Sequence, residues 1–422
     1  MNVRSTMLFV ALVLSLAGCN DQGAPIGPSG GAASELALAA VVEVTNAVDA
    51  GPGSFREAIQ TANLEASVTV VRFDRSVGVV DLASAVVYTG SQSLRIEGRG
   101  ATLAGASGCD CDLLVATGGA DLILENLTLR DAPRTGLVMD VPDGATGDVG
   151  LALRDVTVRD NGLHGIHIDD QSGDATGGDS PAGIVLVIAA SSVSGNGFRS
   201  GFSDFDGIRV DEGGAGDLYA TLQGSLFLEN AGDGLELDER GTGSVWADVK
   251  HTSFDDNGEQ PQNPDDLEDG FDVDEADEGD IEVRVVHATA SGNFDEGFDL
   301  DEEGPGGIRL FMSQAVASGN LDEGIKLTED AETEAGGGLL VELINVDASN
   351  SQADDGIHLE EFGPGDVMAR VVHSTLNGND GDGVKVDQQG TGGGVLRLQN
   401  VESLANGGDP VDVSGVEVVR VP

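Results

Sequence analysis

The chain repeats acidic side chains at a spacing that could bind a metal ion. A short unit recurs along most of the sequence: an acidic residue, a glycine and a run that alternates apolar with polar residues. One full copy is EGFDLDEEGPGG, residues 296–307. Alternation of this kind is typical of β-strands, in which successive side chains point to opposite faces. The polar residues of each copy are therefore predicted to share one face of a strand.

The spacing of the copies predicts a stack of coils. The motif glycines are Gly136, Gly165, Gly207, Gly234, Gly270, Gly297, Gly324, Gly356 and Gly383. Four intervals between them equal 27 residues, and we interpret the longer ones as 27 plus an inserted loop. A period near 27 is too long for a hairpin and fits two or three strands wrapped into one coil of a solenoid.

Recurrent asparagines indicate where the coil bends. Asparagine precedes the motif glycine by four residues at Asn161, Asn230, Asn293, Asn320 and Asn379. Stacked coils would align these amides in a buried column, where they can bond to one another and to turn backbone. The gap is wider after Asn196, Asn257 and Asn350, which predicts that loops 197–206, 258–269 and 351–355 leave one corner of the coil.

Stacking also places like charges above one another. Three outward positions in each of the coils from 233 to 301 are all Asp or Glu, nine carboxylates in total. Unit charges about 4.8 Å apart repel by about 1 kcal/mol in water and by several times more at protein dielectric. Either the pKa values rise or cations bind between the carboxylates. Such hard oxygen ligands suit Ca²⁺ rather than Zn²⁺.

We therefore expect a calcium site on this face. Its ligands are predicted to be Glu236, Asp238, Asp272, Asp274, Asp299, Asp301 and Glu303. The spacing Asp299-x-Asp301-x-Glu303 matches the opening of an EF-hand-like loop, but position twelve is Leu310 instead of glutamate.

The overall composition is strongly acidic. The 74 Asp and Glu residues against 21 Lys and Arg give a net charge of −53 (21 − 74). This charge argues against nucleic acid as a partner and against direct binding to anionic membranes. The same acidity would also suit a protein adapted to high salt. The three cysteines exclude a disulfide-stapled scaffold, and Cys109 and Cys111 could form a small disulfide or remain free thiols.

The N-terminus has the pattern of an export signal. Arg4 precedes the apolar run 7–16, which is too short to span a bilayer comfortably, and Leu-Ala-Gly-Cys follows at 16–19. This ending resembles the lipobox of bacterial lipoproteins. The resemblance implies that 1–19 is a signal peptide, that Cys19 is lipidated, and that the lipid anchors the protein in the cell envelope, at an outer membrane or cell surface. Residues 20–40 would be a flexible tether, and 41–422 one folded domain.

A short helix is predicted before the strands. Ser54 and Glu57 form a capping box, and Phe55, Ala58, Ile59 and Ala62 share one helical face. Such a helix would cover the open end of a solenoid. The segment GSFREAIQTAN resembles the "GSLREAI…AN" segment of secreted bacterial parallel β-helix proteins. The similarity continues through residues 69–73, 79–82, 93–105 and 122–131.

With the asparagine column, the chain resembles the pectin-lyase-like superfamily. This implies an all-β fold, a right-handed parallel β-helix of roughly 27-residue coils with a short N-terminal capping helix. Members often cleave acidic polysaccharides, some with Ca²⁺ and an Arg or Lys base, so Arg209 and Lys326 are the catalytic candidates. The further motifs of those enzymes are absent here, and each cation can instead balance neighbouring acids.

One loop could bind a ligand. The insertion 197–206 contains Phe198, Phe202 and Phe205, which could stack on sugar rings or could pack onto the coil surface. We expect a non-catalytic, adhesion-type surface that binds Ca²⁺ and a carbohydrate or surface protein. The alternative is a Ca²⁺-dependent polysaccharide lyase or glycoside hydrolase acting on cell-wall or extracellular glycans.

Overall fold

The repeated motif strands form one long parallel sheet. The computed structural model describes residues 40–171, 179–200, 205–258, 267–330 and 336–421. Each motif strand pairs in parallel with the strands of the coils before and after it. The twelve strands of this motif sheet are Val86–Tyr88, Leu114–Ala116, Leu137–Asp140, Ile166–Asp169, Ile208–Gly214, Leu235–Gly241, Phe271–Asp277, Phe298–Glu302, Ile325–Glu329, Ile357–Glu361, Val384–Gln388 and Asp412–Ser414.

Two further runs of parallel strands complete each coil. The long-strand run consists of Ala40–Val44, Val68–Phe73, Leu94–Gly105, Leu122–Arg130, Gly147–Arg154, Ala182–Ala189, Leu218–Gln223, Val245–Lys250, Ile281–Val286, Gly307–Ser313, Gly338–Ile344, Val367–Val372, Gly394–Gln399 and Glu417–Val421. The short-strand run consists of Val79–Leu82, Thr157–Arg159, Ser192–Ser194, Leu226–Leu228, Ser253–Asp255, Thr289–Ser291, Val316–Ser318 and Asp347–Ser349. The runs join where Leu94–Gly105 and Leu122–Arg130 extend through both.

Apolar residues from all three runs fill the interior. In the motif strand Ile208–Gly214, Ile208 and Val210 are fully buried while Arg209 between them points outward. Phe227 and Phe254 stack inside with ring centroids 5.0 Å apart. Parallel strands joined by crossovers of one hand wind into a helix, and that hand is right-handed in nearly all proteins. The predicted right-handed parallel β-helix is confirmed, and Ala39–Pro422 forms one compact unit.

The predicted capping helix is also confirmed. The helix Phe55–Leu64 begins after Ser54, whose hydroxyl accepts a hydrogen bond from the Glu57 N–H at 3.2 Å. The Glu57 carboxylate accepts the Gly53 N–H at 2.6 Å. The expected apolar face is buried, and the Phe55 ring stacks on Phe73 with centroids 5.4 Å apart. The helix thus packs on the first strands of the stack and covers their apolar residues.

The asparagine column forms, with one correction. Asn230 Nδ2 donates to Asn257 Oδ1 at 2.9 Å, and the other asparagines from Asn161 to Asn320 bond in the same way. Asn350 is not part of the column: it is exposed, with φ of +64°. The next residue, Ser351, occupies the buried position, and its N–H donates to Asn379 Oδ1 at 3.0 Å. A serine therefore interrupts the column.

The predicted loop at 351–355 is largely wrong. Strand partners Phe298 and Ile325 are 27 residues apart, whereas Gly307 and Gly338 are 31 apart. Four of the extra residues of this coil therefore follow the motif strand, at its opposite end from 351–355. Counting from Asn350 caused the error. The other two predicted loops do follow the asparagine column, and their segments 201–204 and 259–266 lie outside the described residues.

The N-terminal predictions remain untested. Residues 1–39, including the signal segment, Cys19 and nearly all of the tether, lie outside the described residues. Among the residues that are described, no helix has the length and apolar character needed to cross a membrane. Cys109 and Cys111 form a disulfide, which decides between the two alternatives for this pair.

Candidate cation site on the acidic face

The strand register aligns the outward acids as the repeat predicts. Five outward residues of successive coils align in one column. Each lies in register with the next, in the order Arg209, Glu236, Asp272, Asp299 and Lys326. Two residues further along each strand, Asp211, Asp238, Asp274, Asp301 and Thr328 align in a second column. We name the outward face of the coils from 233 to 301 the acidic face.

The acids before each motif glycine have a structural role that the sequence did not reveal. Asp206 Oδ1 accepts the Asp233 N–H at 2.9 Å, and Asp269 Oδ1 accepts the Glu296 N–H at 2.6 Å. Each such carboxylate therefore binds the backbone of the following coil. This first column braces the turn between coils, in addition to carrying charge.

A cation borders the acidic face at each end. Arg209 Nη1 lies 2.7 Å from Glu236 Oε2, and its Nε lies 2.7 Å from Asp211 Oδ1. Lys326 Nζ lies 2.8 Å from Glu296 Oε1 and 3.2 Å from Asp299 Oδ2.

These ion pairs hold both cations in the charged form. Burial alone lowers the pKa of each cation. The charges of Glu236 and Asp211 raise the pKa of Arg209 by more than burial lowers it. The charges of Asp299 and Glu296 do the same for Lys326. Neither group can act as a general base near neutral pH. The geometry therefore favours the alternative in which Arg209 and Lys326 balance neighbouring acids.

The middle coil has no such cation. Within the described part of the chain, no lysine or arginine forms an ion pair with Asp272 or Asp274. Single oxygens of Glu236, Asp272 and Asp274 lie within 4.8 Å of one another. Burial and then the charge of Asp274 raise the pKa of Asp272 well above its usual value. Burial and the charge of Asp301 raise the pKa of Asp274 to about 7.

One buried oxygen of the next coil also lacks a partner. Asp299 is 6 % exposed, and its Oδ1 has no hydrogen-bond partner although Oδ2 contacts Lys326. Asp301 lies beside Asp274 in register. Glu303 is exposed beyond the end of the strand Phe298–Glu302. The EF-hand-like interpretation is therefore wrong, because Asp299 and Asp301 lie on an extended strand and not in a loop.

The acidic face offers only oxygen ligands. Six of the seven predicted ligands lie on the three adjacent strands, and Glu303 stands apart from them. Ca²⁺ takes about six to eight oxygen ligands at about 2.3–2.6 Å, often from carboxylates, whereas Zn²⁺ prefers nitrogen and sulfur. The donor set fits calcium.

Histidines pair with acids elsewhere on the same sheet. His358 Nδ1 lies 3.0 Å from Glu323 Oε1, and Nε2 lies 3.5 Å from Glu360 Oε1 and 3.7 Å from Asp387 Oδ2. Burial lowers the pKa of His358. The hydrogen bond to Glu323 and the charge of Glu360 raise it by more than burial lowers it, so the net shift is upward. The protonated ring can balance the charge of these acids or donate a proton.

The predicted phenylalanine site is only partly formed. Phe198 is 50 % exposed at the surface. The Phe205 ring packs edge-on against His164, with centroids 4.9 Å apart, which matches the alternative of packing on the coil. Phe202 lies outside the described residues. Phe198 is therefore the described member of the trio that is available to a ligand.

A second acidic column lies inside the helix, and the repeat pattern did not predict it. At the residue after the second outward position of each of these motif strands, fully buried side chains align in register: Glu212, Glu239, Glu275, Glu302, Glu329 and Glu361, followed by Gln388 with 5 % exposure. The available signal was a glycine four residues after most of these glutamates, for example Gly216 after Glu212. We name this set the inner glutamate column.

Comparison with known proteins adds fold similarity alone. The periplasmic alginate epimerase AlgG aligns at TM-score 0.49 and 11% identity, over 82% of this chain and 78% of that one. The A-module of the Azotobacter vinelandii mannuronan C-5 epimerase AlgE4 aligns at 0.42 and 14%, over 90% and 100%. Pectate lyase Pel9A aligns at 0.31 and 15%, over 90% and 80%. No family description and no curated protein sequence matches the chain.

The class of protein follows from the coil stack itself. Three runs of parallel strands around one apolar interior define a right-handed parallel β-helix protein. At these low identities and TM-scores, the activities of the aligned enzymes are not transferred to this chain.

Proposed function

We propose that this chain is an exported, lipid-anchored β-helix protein whose acidic face binds Ca²⁺ and serves as an adhesion-type binding surface of the cell envelope. One observation carries the calcium proposal: Asp272 and Asp274 lie between two coils that each have a cation, and among the described residues no lysine or arginine pairs with either of them. A divalent ion at this point supplies the missing positive charge.

Charge balance supports a localised ion. Arg209 forms an ion pair with Glu236 at one end of the acidic face, and Lys326 forms one with Asp299 at the other end. A protein that used acidity only for solubility in salt would expose its carboxylates to water. Here Glu236 and Asp299 are 5 % and 6 % exposed, and Asp272 and Asp274 between them are half-buried. Burying such carboxylates near one another is costly unless a proton or a cation neutralises them.

Export is supported by two features outside the acidic face. The segment 1–19 has the charged start, apolar core and Leu-Ala-Gly-Cys ending of a lipoprotein signal. The Cys109–Cys111 disulfide is a bond that persists in oxidising compartments and is rare in the cytosol. A tethered, elongated β-helix would present its acidic face and Phe198 to a carbohydrate or a surface protein.

Calcium titration of the purified protein tests the proposal. Asp272→Asn should lower the number of Ca²⁺ ions bound per chain by at least one, as measured by isothermal titration calorimetry. The matched control is Glu282→Gln, which removes one charge from an exposed position on the long-strand run and should leave binding unchanged. Equal binding by both variants would overturn the site. An equal rise in melting temperature with NaCl and with CaCl₂ at matched ionic strength would favour salt adaptation instead.

The enzyme alternative rests on a different observation. His358 lies among Glu323, Glu360 and Asp387, an arrangement capable of proton transfer. The assay is release of unsaturated or reducing ends from uronate-containing glycans, with and without Ca²⁺. Release that disappears in His358→Gln would establish a polysaccharide lyase or glycoside hydrolase. Absence of release across such glycans supports the binding role.

A further inference from the structure

The inner glutamate column has more buried acid than its hydrogen bonds satisfy. Glu239 Oε1 accepts the Gly243 N–H at 3.1 Å, and Glu302 Oε1 accepts the Gly304 N–H at 2.8 Å. Both carboxylate oxygens of Glu361 lack a hydrogen-bond partner, although the side chain is 0 % exposed. Glu212 and Glu275 are equally buried, and their carboxyls contact the carboxyls of neighbouring glutamates in the column. Uncompensated carboxylates are rarely buried, because transfer of an anion out of water costs several kcal/mol (order of magnitude).

Backbone oxygens face the same space as the carboxylates. A Cβ on Gly279 would lie 2.0 Å from Gly243 O and 2.4 Å from Glu275 Oε1. A Cβ on Gly243 would lie 1.7 Å from Gly216 O and 2.6 Å from Glu239 Oε1. In both of these coils a carbonyl oxygen of the preceding coil and a carboxylate oxygen therefore lie close to the same glycine. The backbone oxygen leaves no room for a side chain there.

The coil that follows Glu361 shows that packing alone does not require an acid. Gln388 takes the same position as the glutamates, and its Nε2 donates to Gly365 O at 2.7 Å. A neutral amide of the same length therefore fits the corner and uses a backbone carbonyl as its partner. The six glutamates of the column cannot donate to that carbonyl when ionised, so they need a proton or a cation there.

We propose that the inner glutamate column is an interior calcium site, in which ions bridge the glutamates and turn carbonyls of adjacent coils. Parallel strands are about 4.8 Å apart and Ca²⁺–oxygen distances are about 2.3–2.6 Å, so an ion midway between two strands reaches oxygens of both. The donors are all hard oxygens, which excludes a thiolate-type metal. This site faces the interior and does not rest on the proposed acidic-face site.

Protons are the competing way to neutralise the column. Without an ion, burial raises the pKa of Glu275 to about 8 and that of Glu302 to about 9. Calcium binding at pH 7 must therefore displace protons, since metal ligands bind deprotonated. Proton release on Ca²⁺ addition is thus a signature that a structural role alone would not produce.

The experiment separates the two proposed sites by using an Asp272→Asn background. The full-length protein in this background is passed through a chelating resin, re-equilibrated with CaCl₂ and analysed for bound calcium by mass spectrometry. We expect at least one retained ion per chain, and a loss of at least one ion when Glu239→Gln and Glu275→Gln are added. Calorimetry in two buffers of different ionisation enthalpy should show proton release that the added substitutions abolish.

The outcomes are distinguishable. The interior site would be overturned if the glutamine substitutions left the retained calcium unchanged, or if no calcium were retained at all. Protons would then be what neutralises the buried glutamates. Loss of ions from Asp272→Asn alone concerns only the acidic face. Should the double variant fail to fold by circular dichroism, Glu361→Gln beside the natural Gln388 provides a milder test with the same calcium readout. Glu282→Gln serves as the charge-matched control.

Discussion

Arg209 Nη1 lies 2.7 Å from Glu236 Oε2 on the next coil, and this ion pair closes one end of the acidic face. The same guanidinium reaches Asp211 on its own strand. Two residues that are neighbours in the stack thus also attract each other electrostatically. This ion pair forms because the coils repeat in register, which aligns Arg209 with Glu236 on the next coil.

Removing this half-buried cation should destabilise the fold. Arg209→Met removes the guanidinium that contacts both Glu236 and Asp211 and leaves His167 beside Asp211, and we expect a loss of about 3 kcal/mol in the free energy of unfolding. Urea denaturation in chelator measures the change. The control is Arg284→Met, whose ion pair with Asp248 is exposed and should contribute at most about 1 kcal/mol. Similar losses in both variants would contradict the electrostatic account.

Stability in the absence of calcium should fall as pH rises. Burial, with contact from Glu239 adding to it, raises the pKa of Glu212 to about 10, and burial raises that of Glu275 to about 8 and that of Glu239 to about 7, from an ordinary value of 4.5. Between 4.5 and these values the folded chain holds more protons than the unfolded chain. Linkage then requires stability to decrease with increasing pH across that window.

The measurement is the melting temperature in EDTA from pH 5 to pH 9. The decrease should be smaller in Glu212→Gln, because the amide does not ionise, and smaller in excess CaCl₂. A melting temperature that rises steadily over this range would contradict the raised pKa values.

The interruption of the asparagine column predicts a stabilising substitution. Ser351 Oγ is buried without a hydrogen-bond partner, whereas each neighbouring asparagine bonds along the column. Ser351→Asn should restore the amide contact and add about 1 kcal/mol to the free energy of unfolding. The reciprocal change Asn257→Ser should cost about 2 kcal/mol, because Asn230 would lose its buried acceptor. Denaturant unfolding of both variants gives the test, and no gain for Ser351→Asn would show that the corner cannot accept the larger side chain.

The stacked turns predict an intolerant glycine. A Cβ on Gly243 would lie 1.7 Å from Gly216 O, which is backbone and cannot move aside without shifting a coil. Gly243→Ala should therefore destabilise the protein by more than about 3 kcal/mol. Gly144→Ala is the matched control, because a Cβ there meets nothing within 4 Å and the residue is exposed. Its effect should stay within about 0.5 kcal/mol in the same denaturation assay.

The sequence determined the architecture because its period is regular. Intervals of 27 residues and apolar residues at alternate positions are sufficient to align Ile208 with Leu235 and Arg209 with Glu236. The cap helix was equally readable, since Ser54 and Glu57 act through local backbone contacts. Local geometry and a fixed period carry this information without any knowledge of distant contacts.

Only the tertiary structure decided what each acid does. Glu302 and Glu303 are adjacent and identical in type, yet Glu302 is fully buried and Glu303 is exposed. Both positions follow the alternation of the strand, in which Phe298, Leu300 and Glu302 face inward, but an acidic residue type does not by itself suggest an interior position. Only the stacked coils show that this corner accepts a buried acid. The serine in the asparagine column was hidden for a similar reason, because Asn350 beside it satisfied the sequence pattern while the backbone turned the next residue inward. Side-chain burial at a corner depends on how coils stack, and that is a property of the whole helix.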